Sequence, residues 1–194
     1  MRSTTETYMT VHTLQIKNID QHWSLFLDRD GVINYEKENN YILNWNEFIF
    51  YEGVLGALSL LSQKFNKIIL VTNQRGVGKG LMNESALSEI HSQLKQVVEA
   101  SYGRLDGMYT CTSINDNHPD RKPNPGMALA AQKDFPEIIF SKSIMVGNKL
   151  SDMKFGRNAG MHNIFLATTH PETVFPHPDI DLRFNSLLEF AKAL

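Results

Sequence analysis

From residue 24 onward, short apolar runs alternate with stretches whose apolar residues recur every three or four positions, the rhythms of buried strands and amphipathic helices. SLFL, at residues 24–27, and KIILV, at 67–71, are continuous apolar runs that end in polar residues, as central parallel strands buried on both faces do. Val54, Leu55, Leu58 and Leu61 fall at helical spacing. So do Leu87, Ile90, Leu94 and Val97/Val98, behind the N-cap pair Asn83 and Glu84, and this second helix should run to residue 100 or 101. The same reading predicts strands at 107–112, 143–146 and 162–167. It predicts helices at 126–135, at 151–158 with Gly160 as the stop, and at 186–193. An added edge strand is expected at 10–16, irregular chain at 34–51, and loose organisation in the arm 1–22 and at 170–178. Strands alternating with helices predict an α/β protein with a doubly wound parallel sheet.

A chain of 194 residues can bury one sizeable core, so one domain with a minimal cap or none is expected. The net charge of -2, with Lys and Arg spread along the sequence, gives no electrostatic footprint for nucleic acid or an anionic membrane. Cys111 is the single cysteine, which excludes an intramolecular disulfide and a zinc site built on several thiolates, and makes the cytoplasm the expected compartment. No segment reads as a signal peptide or membrane span. The expected partner is a small molecule, and the expected state a monomer or weak homodimer.

Candidate chemistry begins where the first strand ends, at Asp28-Arg29-Asp30-Gly31. Two crowded carboxylates repel unless a cation or a shared proton relieves them. The pair therefore suggests a divalent metal, an acid/base pair, or a nucleophile with its proton donor; a capped turn is the bland alternative. Parallel neighbouring strands would bring Thr72, Asn148 and Asp152 to the same sheet edge, with Lys122 in the loop before the third long helix. Such a set fits phosphoryl chemistry, in which a carboxylate attacks, a second carries a proton, a hydroxyl holds equatorial oxygens, and a lysine with a divalent cation neutralises charge.

DRDGVIN, VTNQ, RKP and VGNKLSD, in that order, resemble the four motifs of the haloacid dehalogenase superfamily of phosphatases. DRDGVIN, TNQRGVGKG, RKPNPGM and the short or absent cap look like the branch that holds the heptose bisphosphate and histidinol-phosphate phosphatases, with TNQRGVGKG nearer the heptose enzymes. The resemblance implies Asp28 as nucleophile, Asp30 as general acid and then base, and Thr72 with the Asn73 backbone N–H on the phosphoryl group. It implies Lys122 between the phosphoryl group and Asp28, Gln74 and Arg121 as substrate contacts, and Mg²⁺ held by Asp28, the Asp30 carbonyl, Asn148 and Asp152. The implied activity is Mg²⁺-dependent hydrolysis of a sugar bisphosphate through an aspartyl-phosphate. Histidinol phosphate is the alternative substrate, and a non-catalytic phosphate-binding protein with a weakened metal site the alternative class.

Two departures stand out. The fourth motif of the superfamily begins Gly-Asp, whereas here it is Gly147-Asn148, so weaker metal binding is expected unless Asp152 moves inward or phosphate supplies the charge. The Cys/His zinc loop common before RKP is shortened to CTSINDNHPD, with only Cys111 and His118, so no structural zinc is expected. Bland readings fit the rest. Gly76, Gly78 and Gly80 read as a flexible connection, Cys111 as a buried small hydrophobe without a partner, and most histidines as fillers. His118 is expected near the site entrance; Trp45 is expected to pack, or to fold over the site from its loop.

Overall fold

The computed structural model describes residues 14–38 and 40–194. Six strands form one sheet: β1 (Ser24–Leu27), β2 (Lys67–Asn73), β3 (Gly107–Cys111), β4 (Ser143–Gly147), β5 (His162–Leu166) and β6 (Leu182–Phe184). Every pairing is parallel and the order is β3-β2-β1-β4-β5-β6. The helices are α1 (Val54–Lys64), α2 (Arg75–Gly78), α3 (Glu84–Ala100), α4 (Gly126–Asp134), α5 (Leu150–Ala159) and α6 (Leu187–Ala193).

Strand periodicity explains the two-sided winding, because successive side chains face opposite ways. Leu25, Leu27, Ile68, Leu70, Ile144 and Val146 meet the apolar stripes of α1, α3 and α6 on one face. Phe26, Ile69, Val71, Met145 and Phe165 meet α4 and α5 on the other. Full burial of each such side chain contributes roughly 1.5–3 kcal/mol, which is why central strands with apolar residues at every position are stable here. The expected caps form: the Asn83 side chain accepts from the Ala86 N–H, and Gly160 ends α5 with left-handed backbone at φ 84°.

Chain order places β2 and β4 on opposite sides of β1, so the connections leaving β1 and β4 diverge and a crevice opens at their carboxyl ends. No separate cap unit interrupts the described chain between β1 and α1, where a 3₁₀ turn at Trp45–Glu47 is the only regular element.

Two expectations are corrected, and one strand had no signal in the sequence. Of the edge strand expected at 10–16, residues 10–13 lie outside the described residues, and Ile16–Asn18 is a 3₁₀ turn. The edge is instead β6, whose three residues are only half-buried and so lack an apolar run to betray them. The glycine-rich connection after β2 includes helix α2. There a Cβ on Gly78 would lie 2.2 Å from the Thr112 carbonyl, so glycine is what lets α2 pack against the end of β3.

Candidate functional site

At that crevice lies a cavity of about 640 Å³ with Asp28, Asp30, Lys122 and Asp152 at its floor. Asp28 follows β1 directly and is 7% exposed. Its Oδ1 accepts from the Arg29 backbone N–H at 2.8 Å and lies 2.8 Å from Lys122 Nζ. Lys122 is also 2.7 Å from Asp152 Oδ1, so one buried ammonium joins the first and fourth motifs. Burial pushes the Asp28 carboxyl up to about 7 against the pull of Lys122, with Asp152 adding to the rise. Burial opposes the charge on Lys122 as well, but its two carboxylates outweigh it and hold the ammonium above its ordinary range.

Asp30 stands in contrasting surroundings. Its Oδ1 accepts from Arg29 Nη2 at 2.9 Å and Asn34 Nδ2 at 2.9 Å, with Arg29 Nε at 3.4 Å. Its Oδ2 accepts from Gln74 Nε2 at 2.7 Å. Burial opposes ionisation here too, yet Arg29, Asn34 and Gln74 outweigh it and hold the carboxyl below its usual range. Arg29 is fully buried. Its Nη1 lies 3.2 Å from His91 Nε2 and its guanidinium sits over the Phe48 ring, while burial and the facing guanidinium drive His91 down to about 4. Sequence reasoning missed Arg29 and counted His91 as filler. The signal was an arginine between two aspartates directly after a fully buried strand whose last three residues are apolar.

Thr72, 1% exposed near the end of β2, accepts from Gln74 Nε2 at 2.8 Å. Asn73 clasps the Lys122 backbone from both sides: its Nδ2 donates to the Lys122 carbonyl at 3.2 Å and its Oδ1 accepts from the Lys122 N–H at 3.1 Å. The second motif thus fixes the third. Gln74 lies at the cavity wall but is only 2% exposed and spends its amide nitrogen on Asp30 and Thr72, whereas Arg121 lines the rim.

The fourth motif is locked from two sides. Asp152 Oδ2 accepts from the N–H groups of Asn148 and Lys149, and its Oδ1 faces Lys122. Asn148 is fully buried. Its Nδ2 donates to Thr169 Oγ1 at 2.7 Å, while its Oδ1 has no hydrogen-bond partner among the described residues. The amide also lies hard against Gly31, where φ is 86° and a Cβ would come within 2.0 Å of Nδ2, so only glycine admits it. Thr168 Oγ1 closes the lock by donating to the Gly31 carbonyl at 2.5 Å. Thr168 and Thr169 were not anticipated, because nothing in the sequence after β5 marks them.

A buried, unpaired amide oxygen beside a carboxylate is a fitting donor for a hard divalent cation. Among the described residues no group of three or more His, Cys, Asp and Glu side chains gathers as a metal cluster. On the rim, Lys149 pairs with Glu36 at 2.6 Å, and Asp116 pairs with both Arg75 and Arg121. His170 also lines the cavity, contrary to its reading as filler, and His118 does not. His118 instead lies 3.8 Å from Cys111 Sγ, which gives that cysteine a partner. Trp45 stacks on Phe48 and makes an edge contact with Phe50, so it packs rather than covering the site.

The parallel sheet of this order, with two aspartates after its central strand, is the fold of the haloacid dehalogenase-type hydrolases. The chain belongs to the polynucleotide kinase 3 phosphatase family, whose model matches residues 25–175. It is 35% identical over 173 residues to a D-glycero-alpha-D-manno-heptose-1,7-bisphosphate 7-phosphatase of Mycobacterium bovis, covering 89% of this chain and 91% of that one. It is 33% identical over 172 residues to a D-glycero-beta-D-manno-heptose-1,7-bisphosphate 7-phosphatase of Helicobacter pylori, covering 87% and 97%. Among solved structures, a D,D-heptose 1,7-bisphosphate phosphatase from B. bronchiseptica, complexed with magnesium and phosphate, superposes with a TM-score of 0.80 at 24% identity, covering 88% of this chain and 97% of that one.

Proposed function

We propose that this protein is a Mg²⁺-dependent phosphatase that hydrolyses a sugar bisphosphate of the D-glycero-D-manno-heptose 1,7-bisphosphate type in the cytoplasm. The observation that carries the reading is the buried Asp28–Lys122–Asp152 chain at the floor of a cavity rimmed by Lys37, Arg75, Lys79, Arg121 and Lys149. A nucleophile with its cation lies at the bottom, and the basic side chains that line the same cavity supply the charge that a second phosphate needs. The curated relatives in M. bovis and H. pylori support the substrate class.

In this reading Asp28 attacks phosphorus, the bond from phosphorus to the sugar oxygen breaks, and Asp30 gives that oxygen a proton. Water then attacks the aspartyl-phosphate and returns its proton to Asp30. Asp30 ionises readily in the ligand-free protein, but a phosphate dianion brought against it raises its proton affinity and fits it to serve as the acid. Thr72 and Lys122 hold the equatorial oxygens. Asp28, the Asp30 carbonyl and Asn148 Oδ1 would hold Mg²⁺, with Asp152 keeping Lys122 in place. Bound there, the cation supplies charge neutralisation at the transferring phosphoryl group.

The test is phosphate release from the α and β anomers of D-glycero-D-manno-heptose 1,7-bisphosphate, histidinol phosphate and a 3′-phosphorylated oligonucleotide, with and without Mg²⁺. The heptose bisphosphates should be turned over fastest, and only with the metal. Preference for either other substrate refutes the sugar assignment.

A further inference from the structure

Gln74 sits where its amide joins the two groups that the proposed reaction needs in different states. Its Nε2 lies 2.7 Å from Asp30 Oδ2 and 2.8 Å from Thr72 Oγ1, and Gln74 and Thr72 are 2% and 1% exposed. An ionised carboxylate accepts and cannot donate, so Asp30 obliges Gln74 to present its NH₂ rather than its carbonyl oxygen. One amide proton goes to Asp30. The other must go to Thr72, whose oxygen then serves as an acceptor. A hydroxyl that accepts from Gln74 has its own single proton free for another partner, and the cavity is where phosphoryl oxygens would lie.

The same geometry distinguishes the two oxygens of Asp30. Oδ1 faces three N–H groups of Arg29 and Asn34, which leave it little room for a proton, whereas Oδ2 faces Gln74 alone. With a single donor, Oδ2 keeps a lone pair unused, and Asp30 lines the cavity. The proton exchanged with the leaving oxygen therefore travels on Oδ2, the atom that Gln74 orients.

We propose that Gln74 is a positioning residue that aims the Thr72 hydroxyl proton at the phosphoryl group and presents Asp30 Oδ2 for proton transfer, instead of contacting substrate. This rests on the phosphatase reading. The backbone anchors Gln74 in that position, since its N–H donates to the Cys111 carbonyl at 2.8 Å and ties the turn after β2 to the end of β3.

The experiment compares wild type with Gln74→Met, Gln74→Glu, Thr72→Ala and the Thr72→Ala/Gln74→Met double variant. With heptose bisphosphate, Gln74→Met should lower kcat about tenfold or more, the effect of removing a hydrogen bond to a charged group, and leave KM nearly unchanged. Gln74→Glu, which keeps the size of the side chain but has no N–H to give either Asp30 or Thr72, should cost kcat at least as much. In the Thr72→Ala background the Gln74→Met cost should shrink, since part of it acts through the hydroxyl. A raised KM with unchanged kcat would make Gln74 a substrate contact and overturn the inference, as would fully additive costs in the double variant.

Wild-type turnover separates this outcome from failure of the phosphatase reading. Release of phosphate from no substrate by the wild type refutes the phosphatase reading, whereas turnover by the wild type with an unchanged kcat in a folded Gln74→Met protein overturns the positioning role on its own.

Discussion

Asp28 and Asp30 are two residues apart on one strand end, yet their surroundings push them in opposite directions. Asp28 lies buried between Lys122 and Asp152, and burial lifts its carboxyl to about 7. Asp30 is also desolvated, but Arg29, Asn34 and Gln74 supply enough donors to hold it below its usual range. The pair is therefore set opposite to its proposed working states, in which Asp28 attacks as an anion and Asp30 gives a proton. Both ligands of the reaction reverse the setting. A divalent cation beside Asp28 favours its anion, and a phosphate beside Asp30 favours its acid. Under the proposed reaction, proton distribution in this site would follow occupancy, with metal and phosphate each setting one carboxyl to its working state.

The largest expected effect comes from removing the nucleophile. Asp28→Asn should lower phosphate release about 10⁴-fold or more, as loss of a covalent nucleophile does, while Asp30→Asn should retain some slow formation of the aspartyl-phosphate. Rapid-quench trapping of phosphorylated protein tells the two apart. Equal trapping in both variants would erase the division of labour.

Lys122 is the next point at which to break the contrast, since it serves Asp28 and Asp152 but not Asp30. Lys122→Met leaves two buried carboxylates without their cation, and breaking a buried ionic pair by removing one partner costs about 3–5 kcal/mol. Urea unfolding should show a loss of this order near neutral pH, shrinking as pH falls and the carboxylates take up protons. A loss that does not change with pH would assign Lys122 a packing role instead.

The elements that build this floor were legible where periodicity and terminal chemistry agreed. SLFL and KIILVTN are buried at nearly every position, and their polar ends meet as the parallel reading requires. Asp28 and Thr72 could be named in advance because a strand end in an open parallel sheet defines where a side chain will point, whereas Lys122, in a loop, and Asp152, on α5, were placed by the order and wording of the motifs. What could not be read were partners set by three-dimensional proximity. His91 reaches Arg29 across 62 residues, Thr168 reaches Gly31 across 137, and neither spacing leaves a trace in the sequence. β6 escaped notice for a different reason: an edge strand of three half-buried residues needs no apolar run.

Asn148 offers a way to sharpen the comparison, because the proposed metal site joins it to Asp28. Asn148→Asp restores a second carboxylate opposite a divalent cation and should tighten Mg²⁺ binding about tenfold or more, measured by calorimetry without phosphate. Thr169→Val should weaken it, since the loaded site needs a partner for the buried Nδ2 that Thr169 Oγ1 now supplies at 2.7 Å. Thr169→Ser keeps the hydroxyl and should bind as wild type does.

The smallest effect, and the most direct reading of the contrast, is in the pH dependence of stability without metal. Asp28 has a folded value raised from 3.8 to about 7, so its contribution is fully present below the unfolded value and is lost as pH rises through about 7. Asparagine mimics the protonated form, so Asp28→Asn should gain on wild type as pH rises. In chelator the difference in Tm should be small near about pH 5 and reach a few degrees in favour of the variant near about pH 8. Asp30 has the opposite sign. Its lowered carboxyl contributes stability above its unfolded value and loses it as pH falls through the lower folded value, so Asp30→Asn should melt below wild type near about pH 8. It also strips the buried Arg29 of its carboxylate partner, which adds to the loss. Shifts of the same sign in the two variants would show that the aspartates share one environment, and the proposed separation of their roles would lose its electrostatic basis.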